Sequence, residues 1–288
     1  MSRRNNNDRM MGTHTPENAD PPPQVQQQKT LDPLHFVAPT EFVELPSGGK
    51  GYREGHPLFG KDTIEIRYMT AKDEDILSSE TLLKKGVAIE RFLQNVIVDK
   101  SVNAKKLLVA DRNAILIAAR VSGYGNIYET AASCPSCGKK SECVFDLNDK
   151  RIVNFDLNEK LDVKSTGVGT FSTKMPFSKF QIEYKLLLGE DEIHISHMAV
   201  GRRKRKMNES MLSEQYKRMI VSIEGHKEPS VIAKYISNMP TVDSRHLRAC
   251  YKATAPDIKI MQDFECPSCG HEQEIEVPFG ADFFWPDR

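Results

Sequence analysis

The sequence predicts an α+β fold, with an N-terminal helical domain followed by two β-hairpins that face each other across an inserted α/β segment. Three observations carry this expectation. Apolar residues recur at helical spacing between positions 71 and 122, the pattern changes to strand-like alternation from Tyr128 onward, and the five residues CPSCG occur twice, at 134–138 and 266–270.

The elements follow in order. Residues 1–41 are rich in Asn, Pro and Gln, with PPPQVQQQ at 21–28. Such a segment buries too little apolar surface to offset its ordering entropy, so it reads as a disordered tail or a tether for a partner. Residues 42–126 form the helical domain. LPSGGKGY at 45–52 carries turn chemistry, and its GGKG lacks the Ser or Thr that a phosphate loop places after Gly-Lys. TIEIRY at 63–68 alternates like a half-buried strand. Thr70 opens a helical region over 71–98, with Asp73 in capping-box position and interruptions at Ser78, Ser79 and Gly86. Its apolar residues, among them Leu77, Phe92, Leu93 and Val96, suit one buried face. Asp111 is expected to cap a helix over 112–122 that ends at Gly123.

Residues 127–149 then form the first hairpin, where KSECVFDL at 140–147 sets Cys143, Phe145 and Leu147 on one side. The insertion spans 150–254. It should hold extended segments at 179–188 and 192–195, a helical stretch over 198–223, and helices over 230–237 and 244–253, the last capped by Asp243. Residues 255–288 form the second hairpin and end in FFWP, an aromatic anchor for the core or for a partner.

Composition narrows the function. The chain has 288 residues with 40 Lys plus Arg against 40 Asp plus Glu, so it is not as a whole an electrostatic magnet for nucleic acid. The polar start, MSRRNNNDRMMG, predicts no secretory leader. The most apolar run, NAILIAARV at 113–121, is interrupted by Arg120 and too short to span a bilayer. RRKRK at 202–206, with Arg202, Arg203 and Arg205, reads either as a solvated helix start or as a contact for nucleic acid or an acidic surface. His194 and His197, in a segment read as extended, fall on opposite faces and do not form a ligand pair. No motif of nucleophilic or metal-assisted catalysis is visible, so the chain is not expected to be an enzyme.

Six cysteines in a chain of this length are too few for a disulfide scaffold, and four of them fall in the C-x-x-C pairs. Each CPSCG can form a tight turn whose two sulfurs converge, with Gly138 and Gly270 at a position that demands φ > 0 or lacks room for a side chain. Two such turns complete a tetrahedron. Cys134, Cys137, Cys266 and Cys269 are therefore expected to bind one structural zinc in a zinc-ribbon-like pair of hairpins. A thioredoxin-like dithiol needs one C-x-x-C at a helix start, disulfides inside CPSC turns would be strained, and the compact cysteine run of an iron–sulfur site is absent. Cys143 and Cys250 fall on apolar faces as small core residues.

In order, LPSGGKGY, YMTAKDEDIL, LLVADRNAILIAARVSGYG, CPSCG, DSRHLR and FECPSCG with FFWP resemble the baseplate protein family of T-even-type, contractile-tailed bacteriophages. The resemblance covers roughly residues 42–286, and both cysteine knuckles match it. It implies a structural or assembly role in the baseplate hub region of the virion tail, with assembly in the host cytoplasm and other baseplate proteins as partners. A homo-oligomer is compatible with that role; a membrane contact or an enzymatic activity is not implied. Two alternatives stay open: a nucleic-acid-binding zinc-ribbon protein using RRKRK, and an assembly chaperone absent from the mature particle.

Overall fold

The computed structural model describes residues 38–153, 161–204, 211–277 and 281–284. Of the tail expected over 1–41, residues 1–37 lie outside them, and Thr40 and Glu41 are not tail but the start of a strand. Strands β1 (Thr40–Glu44) and β2 (Thr63–Arg67) pair antiparallel and turn Val43, Ile64 and Ile66 inward. The predicted helical region is three short helices, α1 (Ala71–Ser78), α2 (Glu80–Lys84) and α3 (Ala88–Val96). Its breaks fall where expected: Ser79 is extended and Gly86 has φ of 66°. Phe92, Leu93 and Val96 of α3 are fully buried. After a 3-10 turn at Ala104–Lys106, α4 (Val109–Tyr124) runs through the core.

The β-rich part follows. β3 (Ile127–Ser133) and β4 (Lys140–Asp146) form a hairpin, and β5 (Lys150–Val153) leaves it to pair elsewhere. β6 (Lys164–Ser165), β7 (Thr170–Lys174) and β8 (Gln181–Lys185) form a meander. The chain crosses through α5 (Gly189–Lys204) and α6 (Met211–Met219) before β9 (Ile220–Ile223) adds to β8, antiparallel, with a bulge at Glu183 and Tyr184. Helices α7 (Pro229–Asn238) and α8 (Thr241–Thr254) lead to the second hairpin, β10 (Asp257–Glu265) and β11 (Glu272–Glu276). β5 joins the outer side of β10, giving the order β11-β10-β5. The fold is mixed α+β with small antiparallel sheets, as predicted. Among the described residues no helix is long and apolar enough to cross a membrane.

Several local expectations are corrected. Residues 192–195 are not extended but belong to α5, so His194 and His197 share a helix side rather than opposing faces. The segment 198–223 is not one helix. It comprises the end of α5, α6 and then β9, because Ile220, Ser222 and Ile223 gain a sheet edge and burial that a helix would forgo. Helix α4 continues past Gly123 to Tyr124, and Gly125, with φ of 84°, ends it. Gly123 serves a packing need instead: a Cβ there would lie 2.9 Å from Met69 Sδ.

Asp111 and Asp243 are not caps. Each is the third residue of its helix, and the same holds for Asp73 in α1 and Asp191 in α5. All four are buried, and each holds backbone outside its helix. Asp73 accepts from the Thr70 amide (2.9 Å) and from both terminal nitrogens of Arg67 (2.7 and 2.9 Å). Asp111 accepts from the Ser47 amide and hydroxyl (3.0 and 2.7 Å) and from the Tyr52 hydroxyl (2.8 Å). Asp191 takes the Leu188 amide and Lys185. Asp243 takes the amides of Phe177 and Ser178 in the β7–β8 turn (2.8 and 3.0 Å). A carboxylate in the first turn of a helix is favoured by the helix dipole. Here its oxygens are also the acceptors for loop amides that burial would leave unpaired.

Burial opposes ionisation of Asp73 and Asp243, but Arg67, Thr70 and Asn95 for the first, and the Ser178 and Phe177 donors for the second, outweigh it and hold both below the ordinary carboxyl range. Depressed acids contribute stability that is complete above the unfolded value of about 4 and lost as pH falls through the folded one. Asp73→Asn is thus expected to cost about 2 kcal/mol at neutral pH and to flatten the acid limb of stability. Urea midpoints between neutral and strongly acid pH check this; parallel wild-type and variant curves would refute it.

Candidate metal centre

The two CPSCG turns fold alike. In the first, the Cys134 amide donates to Lys139 O (2.8 Å) and the Gly138 amide to Cys134 O (2.9 Å). In the second, the Cys266 amide donates to His271 O and the Gly270 amide to Cys266 O, both at 2.9 Å. Gly138 has φ of 72° and Gly270 of 64°, and nothing lies within 4 Å of a Cβ built on either. Of the two reasons the sequence offers for these glycines, backbone conformation is the operative one. Gly270→Ala is expected to cost about 1 kcal/mol through a left-handed alanine. Thermal unfolding of the variant measures it, and an unchanged midpoint would mean the turn relaxes freely.

The turns meet. Cys134 Sγ lies 3.8 Å from Cys269 Sγ, and Cys137 Sγ lies 3.7 Å from Cys266 Sγ. All four sulfurs fall within 4.8 Å of one another and could hold a metal ion. The spacing can be tested against geometry. A tetrahedron with metal–sulfur bonds of about 2.3 Å has sulfurs about 3.8 Å apart. Disulfides need sulfurs at about 2.05 Å, and all six cysteines are free. Cys134 and Cys266 are buried; Cys137 and Cys269 lie outside.

The Cys137 amide lowers the pKa of Cys134, and the Ser268 amide leads the groups that bring Cys266 down to about 7. At Cys269 the His271 amide favours the thiolate, but Cys266, burial, Cys137 and Cys134 outweigh it and push the pKa up to about 12. A bound cation would favour the thiolate form of its cysteine ligands.

Further contacts set the hairpins' relation below the sulfurs. Gln262 of β10 accepts from the Asp146 amide (3.1 Å) and donates to Asp146 O (2.6 Å), pairing with the end of β4 as a strand backbone would. At the base sits Arg120, 1% exposed. Its Nε donates to Phe283 O (2.7 Å), Nη1 to Gly125 O (2.8 Å) and Nη2 to Ile127 O (3.2 Å), with the guanidinium over the Tyr124 ring at 5.1 Å. Phe283 packs on Tyr128 and Phe284 on Phe92, so the FF of FFWP docks in the chain's own core; Trp285 lies outside the described residues.

The structure brings Cys134, Cys137, Cys266 and Cys269 together, and leaves Cys143 and Cys250 packed with the core. Cys250 Sγ lies 3.4 Å from His246 Nε2, a spacing reminiscent of a nucleophile and base, but the thiol is buried and burial pushes its pKa up. Of RRKRK, Arg202 is committed to Glu214 at 3.0 Å; Arg205 and Lys206 lie outside the described residues, as do the side chains of Arg203 and Lys204. Arg120 and the third-position aspartates were legible only as a charge inside an apolar run and as Asp near helix starts.

Compared with known proteins, residues 38–285 match the family model described as T4 bacteriophage base plate protein. Neither the curated proteins nor the solved structures contain a significant match.

Proposed function

Because this chain belongs to the T4 bacteriophage base plate protein family, we propose that it is a non-enzymatic component of the baseplate hub region, held in shape by one structural zinc on Cys134, Cys137, Cys266 and Cys269. The single observation that carries the baseplate role is the family match, which spans nearly all of the described chain. Support for zinc comes from the sulfur spacing and the donor set. Four thiolates in a tetrahedron favour zinc over the hard cations, and four protein ligands fill such a site, so the ion is a staple rather than a reaction centre. Residues 127–149 and 255–288 are read as the two halves of one ribbon, with 42–126 as the helical part and 150–254 as the insertion.

A baseplate subunit must keep its shape while neighbours dock on it. A metal staple joining positions more than a hundred residues apart in sequence supplies that rigidity without an oxidising compartment. The partners are other baseplate proteins, the place is the tail baseplate of the virion, and assembly occurs in the host cytoplasm. Co-purification of the full chain with hub and wedge proteins, with and without a chelator, tests this. Binding that the chelator abolishes is the expected result, and failure to bind any of them would refute it. Protein analysis of purified particles should find the chain in the baseplate; its absence would turn the reading to an assembly chaperone.

A further inference from the structure

A recess of about 350 Å³, separate from the metal centre, is lined by Gly51, Tyr52, Arg53, His56, Lys106 and Lys185, with Glu190 at its wall. Its floor is apolar and firmly built. Leu108 and Leu186 are buried there, and a Cβ on Gly51 would lie 2.7 Å from Leu108 Cδ1. Tyr52 is locked, since its hydroxyl donates to Asp111 and accepts the Leu108 amide at 3.0 Å. His56 stacks on Tyr52 with ring centroids 4.3 Å apart and planes 7° from parallel. Its Nδ1 accepts the Leu58 amide at 3.2 Å, which leaves Nε2 to carry the proton as a donor. The stem of Arg53 lies across Gly169, where a Cβ would fall 3.2 Å from Arg53 Cγ.

The charges in the recess do not balance. Lys185 is taken by Asp191 at 2.7 Å, but neither Arg53 nor Lys106 has an ion-pair partner among the described residues. Glu190 is the one carboxylate lining the recess among those residues. Two free cations against one carboxylate leave excess positive charge over a low-dielectric floor, where attraction for an anion is stronger than in open water. His56, lowered in pKa by burial and then by Lys106, adds a neutral donor.

We propose that this recess binds an oxyanion, a phosphate or carboxylate group held by Arg53, Lys106 and the Nε2–H of His56. The group comes either from a free phosphate-bearing ligand or from an acidic side chain of a neighbouring protein, and the recognition chemistry is the same. The inference depends on neither the zinc nor the baseplate reading.

The test follows thermal unfolding and titration calorimetry of the full chain against inorganic phosphate, with chloride setting constant ionic strength. A saturable stabilisation is expected. Arg53 and Lys106 are exposed, so an Arg53→Ala/Lys106→Ala double variant should fold as the wild type does, yet bind phosphate at least about tenfold more weakly. Lys50→Ala, an exposed lysine outside the recess, should bind normally. Two results would overturn the proposal: no saturable response, or an equal response in the double variant, which is the general effect of an excluded salt. Phosphate that also displaces a baseplate partner identifies the natural group as an acidic side chain; phosphate that binds without displacing one identifies a free ligand.

Discussion

Replacing Cys269 by Ser is expected to abolish stoichiometric metal binding and to release the two hairpins from one another. Structural zinc contributes on the order of 10 kcal/mol in small metal-dependent folds, comparable to the net stability of a whole domain. Little else could make up such a loss at the tips. Beyond the sulfurs, the hairpins are joined by the β5–β10 ladder, the Gln262–Asp146 pair and the Arg120 clasp, all lower down. The metal-free chain should therefore lose amide protection along β3, β4, the outer half of β10 and β11, while α3 and α4, whose Phe92, Leu93 and Ile115 are fully buried, keep theirs. Elemental analysis together with hydrogen exchange reads both effects. Cys143→Ser is the control, since that thiol bonds within β4, to Ser141, and lies outside the cluster. Retained metal and unchanged protection in Cys269→Ser would remove the staple from the account.

Arg120→Met should be the most damaging change away from the cysteines. The methionine fills much of the same space but leaves the carbonyls of Phe283, Gly125 and Ile127 without their donor. Charged hydrogen bonds of this kind contribute about 1.5–3 kcal/mol each, and water recovers part of the loss, so about 3 kcal/mol overall is expected. For a chain of this size that corresponds to a drop in Tm of about 5–6 °C. Arg120→Lys should recover only part, because an ammonium cannot reproduce the fork that meets three carbonyls. Hydrogen exchange at Phe283 and Phe284 should rise together with the loss of stability. An unaltered Tm in Arg120→Met would show that the C-terminal segment docks through its aromatic rings alone.

The two predictions mark different degrees of legibility. The four-cysteine cluster could be read directly because its information is local: each CPSCG encodes its own turn, and repetition of the turn implies its counterpart. The breaks at Ser79 and Gly86, the capping box of Thr70 and Asp73, and the inward face of β4 were readable for the same reason. Misreadings arose where two local patterns competed. Residues 192–195 alternate as a strand does, yet Asp191 at the third helical position organises a helix around them. Residues 220–223 continue a helical apolar pattern, yet β8 offers them a sheet edge.

By itself the sequence determined the α+β class, the four cysteines that cluster and the turn backbone that presents them, since short-range conformation and side-chain chemistry decide all three. Only the tertiary structure decided what Arg120, Asp111 and Asp243 do, and that Arg53, Lys106 and His56 line one recess. A buried charge acquires its role from the remote carbonyls and amides that reach it. Those partners are up to 163 residues distant along the chain, beyond the range of any periodic pattern.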